Sequence, residues 1–296
     1  MQYNIYLAFT PLHLKIINSI PKKNNSILII LNKKNLNRFC NSYVQTEQFY
    51  KIYKFKSLFF NPFILMKINS KFQNINTVYA GNFKFFNFRL IQFFIDYKKL
   101  ITFDDGVGGV SETYFNTDSN TIKEKIYSLF KLDILSIMSK HAFHYAIYDA
   151  QSSIFGNSII PLNLEDISER FNYDGNVLLT TDKSEAGTMS KDDENRLLEK
   201  IIKNFNIKYL IHHPSKRFNR NFNNVQIIDE PYLSDDIVSY SKFNHVYSLS
   251  ASSILGIVRL KKIPDENLTY LANKDAPVMQ MLHTNTKINT INFEDL

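Results

Sequence analysis

Sulfur chemistry is nearly absent from this chain. A single cysteine, Cys40, permits no internal disulfide and excludes a zinc site built on cysteines. Such usage fits a reducing cytoplasm. No apolar run reaches the roughly 20 residues that a membrane-spanning helix needs, and Thr10 and His13 interrupt the apolar start. The first residues also lack a basic segment and a small-residue cleavage site, so no secretory leader is expected. Internal repeats are missing, and nothing of low complexity stands out beyond an Asn/Lys bias.

What remains has the composition of a globular protein with room for two domains. The 296 residues are 44% hydrophobic and 21% charged, with 25 Phe and 17 Tyr. The net charge of +7 is unevenly placed. Residues 1–150 hold 19 Lys and Arg against 9 Asp and Glu, or +10, and the remainder holds 16 against 19, or −3. A basic first half and a mildly acidic second half suggest different partners for each. Basic residues sit among aromatics in Phe49–Phe63 and Phe83–Tyr97. These stretches read either as amphipathic helices whose aromatics fill a core or as a surface that rests on anionic lipid or glycolipid. A nucleic-acid binder is the rival from another class. The interleaving of basic with apolar residues and the lack of any RNA-binding signature count against it.

Short β-type runs alternate with helical patterns from end to end. Strands are predicted at Asn4–Phe9, Ser26–Leu31, Thr77–Ala80, Leu100–Phe103 and Phe143–Tyr148 in the first half. In the second half they fall at Asn176–Thr180, Lys208–Ile211, Val225–Ile228, His245–Leu249 and Ile288–Phe293. Between them, Lys191–Phe205 repeats apolar residues at three- and four-residue spacing, with Asp192 and Asp193 at its start. Alternation of this kind implies α/β domains with parallel sheets covered by helices. The polar stretch Leu162–Gly175 marks a boundary, giving one domain over 1–165 and a second over 175–296. The two sheets are expected to face a central cleft, with ligands at the carboxyl ends of the strands.

Four clusters follow predicted strands. Thr10-Pro11-Leu12-His13 opens the first helix and offers Thr10 and His13 to an acceptor. Asp104-Asp105-Gly106 leaves a buried strand; paired carboxylates there are costly unless solvated, paired or used, and one of them could act as a general base. His212-His213-Pro214-Ser215-Lys216-Arg217 ends a strand in two imidazoles followed by two cations, the groups a phosphate leaving group needs. Strand alternation puts His212 and His213 on opposite faces, so one of them looks toward a ligand. Ser248–Ser253 leaves a strand and opens a helix, where hydroxyls and free N–H groups make an anion site. Glu230 adds a carboxylate suited to ribose hydroxyls. Together these describe a sugar-nucleotide transferase with its donor in the second domain and its acceptor in the first.

On these motifs the chain resembles the bacterial lipooligosaccharide sialyltransferases, glycosyltransferase family 52. Asp104-Asp105-Gly106, His213-Pro214 and Ser252-Ser253 stand in the order of that family's acidic-acidic-Gly, His-Pro and serine-pair motifs. The start at Thr10-Pro11-Leu12 and the run Asn176–Gly187 also resemble the family. The resemblance implies a GT-B fold of two Rossmann-like domains. It also implies inverting transfer of N-acetylneuraminate from its CMP derivative to a terminal galactose of a lipooligosaccharide or capsular glycan. No cofactor and no metal ion are implied. Asp105 would be the general base with Asp104 beside it, and Glu185 is a second candidate. His213 would protonate or stabilise the departing phosphate. Pro214, Ser215, Lys216, Ser252, Ser253 and Gly106 would line the donor site, and Glu230 would hold the ribose. Another GT-B transferase with a different nucleotide sugar is the alternative. Expected partners are CMP-sialic acid, a galactose-terminated glycan and an anionic membrane surface, but no nucleic acid. The homodimeric state, the linkage and the exact acceptor stay open, and the expected location is the cytoplasm or the inner face of the cytoplasmic membrane.

Overall fold

The structure is a computed structural model. It describes residues 1–22, 25–31, 33–56, 62–81, 86–104, 122–147, 158–181, 183–184, 188–213, 221–249, 251, 253–272, 288–292 and 295–296. The chain divides into two compact units, Met1–Asp166 and Ile167–Leu296. That division falls inside the polar stretch Leu162–Gly175.

The first unit is built on strands β1 (Tyr3–Ala8), β2 (Ser26–Ile30), β3 (Lys51–Lys54), β4 (Ile75–Ala80), β5 (Tyr97–Phe103), β6 (His141–Ala146) and β7 (Ile159–Pro161). They form one sheet in the order β3-β2-β1-β4-β5-β6-β7, parallel throughout. The described helices are α1 (Pro11–Ser19), α2 (Lys33–Tyr43), α3 (Pro62–Lys71), α4 (Phe86–Phe94), α5 (Ile122–Leu129) and α6 (Ile134–Met138). Strands β1 and β2 are buried almost end to end and read as unbroken apolar runs, because helices cover both faces of a parallel sheet. Ile5, Leu7, Ile27 and Ile29 pack there with Leu65 and Ile68 of α3 and Phe88 and Ile91 of α4.

The second unit repeats the plan with β8 (Asp174–Thr180), β9 (Ile207–His212), β10 (Gln226–Ile228), β11 (Lys242–Leu249), β12 (Leu268–Leu271) and β13 (Asn289–Ile291). The order is β10-β9-β8-β11-β12-β13, again all parallel. Its described α-helices are α7 (Lys191–Asn204), α8 (Ser234–Ser239) and α9 (Ser253–Leu260). Helix α7 starts in a capping arrangement: the Ser190 hydroxyl oxygen accepts from Asp193 N–H at 3.1 Å and its O–H donates to the Asp193 carboxylate at 2.6 Å. Its apolar face supplies Leu198 and Ile201 to the core.

Every predicted strand is present, with edges shifted by at most three residues. Three strands escaped the pattern: β3, β7 and β12. The aromatic-basic stretch Phe49–Phe63 is corrected by the structure. It is not one amphipathic helix but carries the edge strand β3, in which Lys51 and Lys54 are exposed and Ile52 and Tyr53 half-buried, with α3 starting only at Pro62. Four residues, exposed at both ends and half-buried between, carry no period of two. Phe83–Tyr97 does contain a helix, α4, and its Tyr97 already begins β5.

Candidate active site

Both sheets reverse their strand order at one place, between β1 and β4 in the first unit and between β8 and β11 in the second. Crevices at the carboxyl ends of strands flanking such a reversal are where open α/β sheets bind ligands. The candidate residues are distributed around these two places.

In the second unit, Thr181 follows β8 and its hydroxyl donates to the Leu249 carbonyl at the end of β11, at 3.3 Å. The Ser248 hydroxyl donates to the Ala251 carbonyl at 3.1 Å and fixes the turn into α9, whose first residue is Ser253. Ser248 and Ser253 therefore stand at the strand-order reversal, and Ser253 opens a helix, as an anion site requires. On the other side of β8, the His213 N–H donates to the Thr180 carbonyl at 3.1 Å and extends the β9 ladder by one residue. His213 is exposed. His212 lies half-buried on the opposite face, its Nδ1 within 3.1 Å of the Thr180 hydroxyl. The two imidazoles thus diverge, one into the packing of β8 and one outward.

Glu194 on α7 is fully buried, and nothing in the sequence pattern singles it out. Its two carboxylate oxygens accept the backbone N–H groups of Lys183 and Ser184, at 2.8 and 3.1 Å. A carboxylate without exposure is stable only when its lone pairs are met, and here they clamp the turn after β8 that leads to position 185. Glu230 follows β10, and its Oε1 accepts the Tyr173 hydroxyl at 2.7 Å. Burial, and then this carboxylate, push the Tyr173 phenol up to about 12. The Tyr173 ring stacks parallel to Phe171 and Phe243, just before β8.

In the first unit, the Thr10 hydroxyl caps α1 by accepting the His13 N–H at 3.3 Å, and Pro11 occupies the first turn. His13 itself is fully buried. Its Nδ1 accepts the Phe9 N–H at 3.2 Å, so the ring proton sits on Nε2. The imidazole stands edge-on to Phe103, with centroids 5.2 Å apart. A Cβ at Gly81, which follows β4, would lie 2.5 Å from His13 Nε2 and 2.8 Å from the Phe103 ring. The imidazole thus fills the reversal between β1 and β4, and position 81 must be glycine while it does.

Asp104, at the end of β5, is also fully buried. Its Oδ1 lies 2.9 Å from His144 Nε2, and its Oδ2 accepts the Ile147 N–H at 2.6 Å. The network continues inward. Thr102 faces His144 across β5 and β6, its hydroxyl 2.8 Å from His144 Nδ1 and 3.0 Å from His141 Nε2. An ionised carboxylate only accepts, so His144 carries its proton on Nε2. In the neutral ring Nδ1 then accepts from Thr102, whose oxygen accepts from His141 Nε2–H. All donors point toward Asp104. Burial, and then His144, push the His141 imidazole down to about 4, which keeps it neutral near pH 7. Asp104 stands out in the sequence, whereas His141, His144 and Thr102 do not. A polar residue inside a buried strand beside an acidic strand end was the available signal.

Asp105, Gly106, Glu185, Pro214, Ser215, Lys216 and Ser252 lie outside the described residues. The structure describes the anchors beside several of them: Asp104 precedes Asp105, Ser184 precedes Glu185, and His213 precedes Pro214.

Two units with Rossmann strand order in one chain define a GT-B-type protein. Solved structures agree on the fold. The chain is similar to spinosyn forosaminyltransferase SpnP, with 8% identity, a TM-score of 0.58, and coverage of 99% of this chain and 86% of that one. It is also similar to the UDP-GlcNAc 2-epimerase of Methanocaldococcus jannaschii, with 14% identity, a TM-score of 0.51 and coverage of 99% and 90%. The family follows from sequence: residues 24–273 match Glycosyltransferase family 52, and the chain belongs to that family. A curated relative, the CMP-N-acetylneuraminate:beta-galactoside alpha-2,3-sialyltransferase of Pasteurella multocida (strain Pm70), is 26% identical over 253 residues. That match covers 78% of this chain and 80% of the relative.

Proposed function

We propose that this glycosyltransferase moves N-acetylneuraminate from CMP-N-acetylneuraminate to a terminal galactose of a lipooligosaccharide or capsular glycan, with inversion and without a metal ion. The observation that carries the reading is the likeness to the Pasteurella sialyltransferase over most of both chains. The position of Ser248, Ser253 and His213 at and just beyond the carboxyl ends of β9 and β11 supports it. In this reading Ser252, Ser253 and the first N–H groups of α9 hold the CMP phosphate, with Ser215 and Lys216 beside it. The bond between the sialyl anomeric carbon and the phosphate oxygen breaks, and His213 gives a proton or hydrogen bond to that oxygen. Asp105 removes the proton from the attacking galactose hydroxyl, Glu185 being the other candidate. Asp104 has both oxygens engaged in the fold and acts as the positioning residue for Asp105, as Glu194 does for the loop that carries Glu185. Glu230, whose Oε1 is engaged by Tyr173, holds the ribose hydroxyls through Oε2.

The test is transfer to a labelled lactoside, with the product linkage determined, using CMP-N-acetylneuraminate in parallel with a CMP-Kdo and a UDP-hexose donor. Sialylated product from the first donor alone is expected. Product from another donor and none from CMP-N-acetylneuraminate would overturn the reading.

A further inference from the structure

We propose that the exposed face of α5 is a docking surface for an anionic lipid bilayer. The helix is amphipathic in the inverse sense. Its inward side carries a carboxylate: Glu124 is buried, and its Oε1 accepts from Arg89 Nη2 of α4 at 2.7 Å. Arg89 is buried as well, lies 4.0 Å from the Tyr127 ring centroid, and donates from Nη1 to the Leu132 carbonyl at 2.6 Å. Its outward side carries the apolar residues. Ile122, Ile126, Leu129 and Phe130 recur at helical spacing, and Ile122 and Leu129 are 79% and 80% exposed. Phe93 of α4, also exposed, extends the ridge, its ring 6.2 Å from that of Phe130.

One exposed leucine means little. Five large apolar side chains on one ridge, held outward by a buried ion pair, mark an interaction surface. A buried pair carries a desolvation cost that an apolar contact would not, so the Arg89–Glu124 clamp orients the helix against its own hydrophobic preference. Charge selects the occupant. Residues 1–166 hold 19 Lys and Arg against 11 Asp and Glu, a net +8, and Lys125 and Lys131 stand exposed in and beside the ridge. A second copy would set these like charges against one another. A bilayer with anionic headgroups accepts the ridge at its acyl boundary and the lysines at its phosphates. Among the described residues no helix is long and apolar enough to cross a membrane, so the contact is peripheral.

The test uses the full chain with sedimented vesicles of phosphatidylcholine, alone or mixed with phosphatidylglycerol, at low and high salt. The wild type should partition to the mixed vesicles at low salt and release as salt rises. Leu129→Ser with Phe130→Ser should lower the partition about tenfold or more at unchanged Tm, since neither side chain supports the core. Lys125→Gln with Lys131→Gln should remove the preference for phosphatidylglycerol. No partition of the wild type, or equal partition of the serine variant, would overturn the proposal. So would conversion of a dimer to a monomer by the serine variant with partition unchanged, which would assign the ridge to a second copy.

Discussion

Replacing Asp104 offers a way to separate a structural carboxylate from a reacting one. In Asp104→Ala the Ile147 N–H and the His144 Nε2–H both lose their acceptor in a site without solvent exposure. An unmet buried donor costs about 1–3 kcal/mol, so the pair sets a loss of about 2–6 kcal/mol. In Asp104→Asn the carbonyl must face Ile147, because a backbone N–H is a fixed donor. The new amide N–H₂ then faces His144, whose Nε2 must become an acceptor. The ring can meet this by moving its proton to Nδ1 and donating to Thr102, whose O–H turns to donate to His141 Nε2 as that ring takes its proton on Nδ1. The network reverses direction instead of breaking, and the expected loss is about 1 kcal/mol. Urea unfolding midpoints at constant slope read both values. Turnover should follow stability: Asp104→Asn retains most of it, whereas Asp105→Asn loses most of it while still binding CMP in calorimetry. An Asn variant as unstable as the Ala variant would refute the reversed network. A stable Asp104→Asn protein without turnover would make Asp104 itself the reacting carboxylate.

The remaining predictions follow from the same geometry. His213→Ala should lower turnover by roughly two to four orders of magnitude with the fold retained, and His212→Ala, which loses a contact to Thr180, should lower Tm more than rate. Activity should persist in excess EDTA; loss restored by manganese or magnesium would make the carboxylates metal ligands. Stability should fall in acid through His141. Its folded ring protonates near 4 and its unfolded ring near the ordinary value of about 6.5, so the stabilisation is complete above that value and declines as pH falls toward 4. The ring is partly exposed, which limits the effect to about 1 kcal/mol. The Tm difference between pH 7.5 and pH 5 should shrink in His141→Gln, and an undiminished difference would exclude this residue as its source.

The fold was legible because a parallel sheet buries its strands on both faces. Runs such as Ile27–Ile30 and Val177–Leu179 then contain nothing but apolar residues, and no helix period competes with them. β3 was misread because an edge strand keeps one side in water and dilutes its apolar signal with Lys51 and Lys54. In the candidate site, residues that follow strands were legible from their chemistry: Thr10, Asp104, His213 and the serines. Residues that act through a partner distant in sequence were not. Glu194 reads as one more acid in the first turn of a charged helix, and only the turn at Lys183–Ser184 shows why it is buried. His144 reads as a strand residue until register sets it opposite Thr102.

The glycine after β4 has an evolutionary consequence. With only a hydrogen where other residues carry Cβ, position 81 shares one volume with the imidazole of residue 13, although 68 positions separate them in the chain. Neither can change freely alone: a side chain at 81 meets the ring, and a smaller residue at 13 leaves a void against Phe103. Either order of substitution therefore passes through a damaged intermediate, and the Phe103 ring, 2.8 Å from the Cβ position, still opposes a side chain at 81 after the histidine is lost. Positions 13, 81 and 103 behave as a single inherited unit.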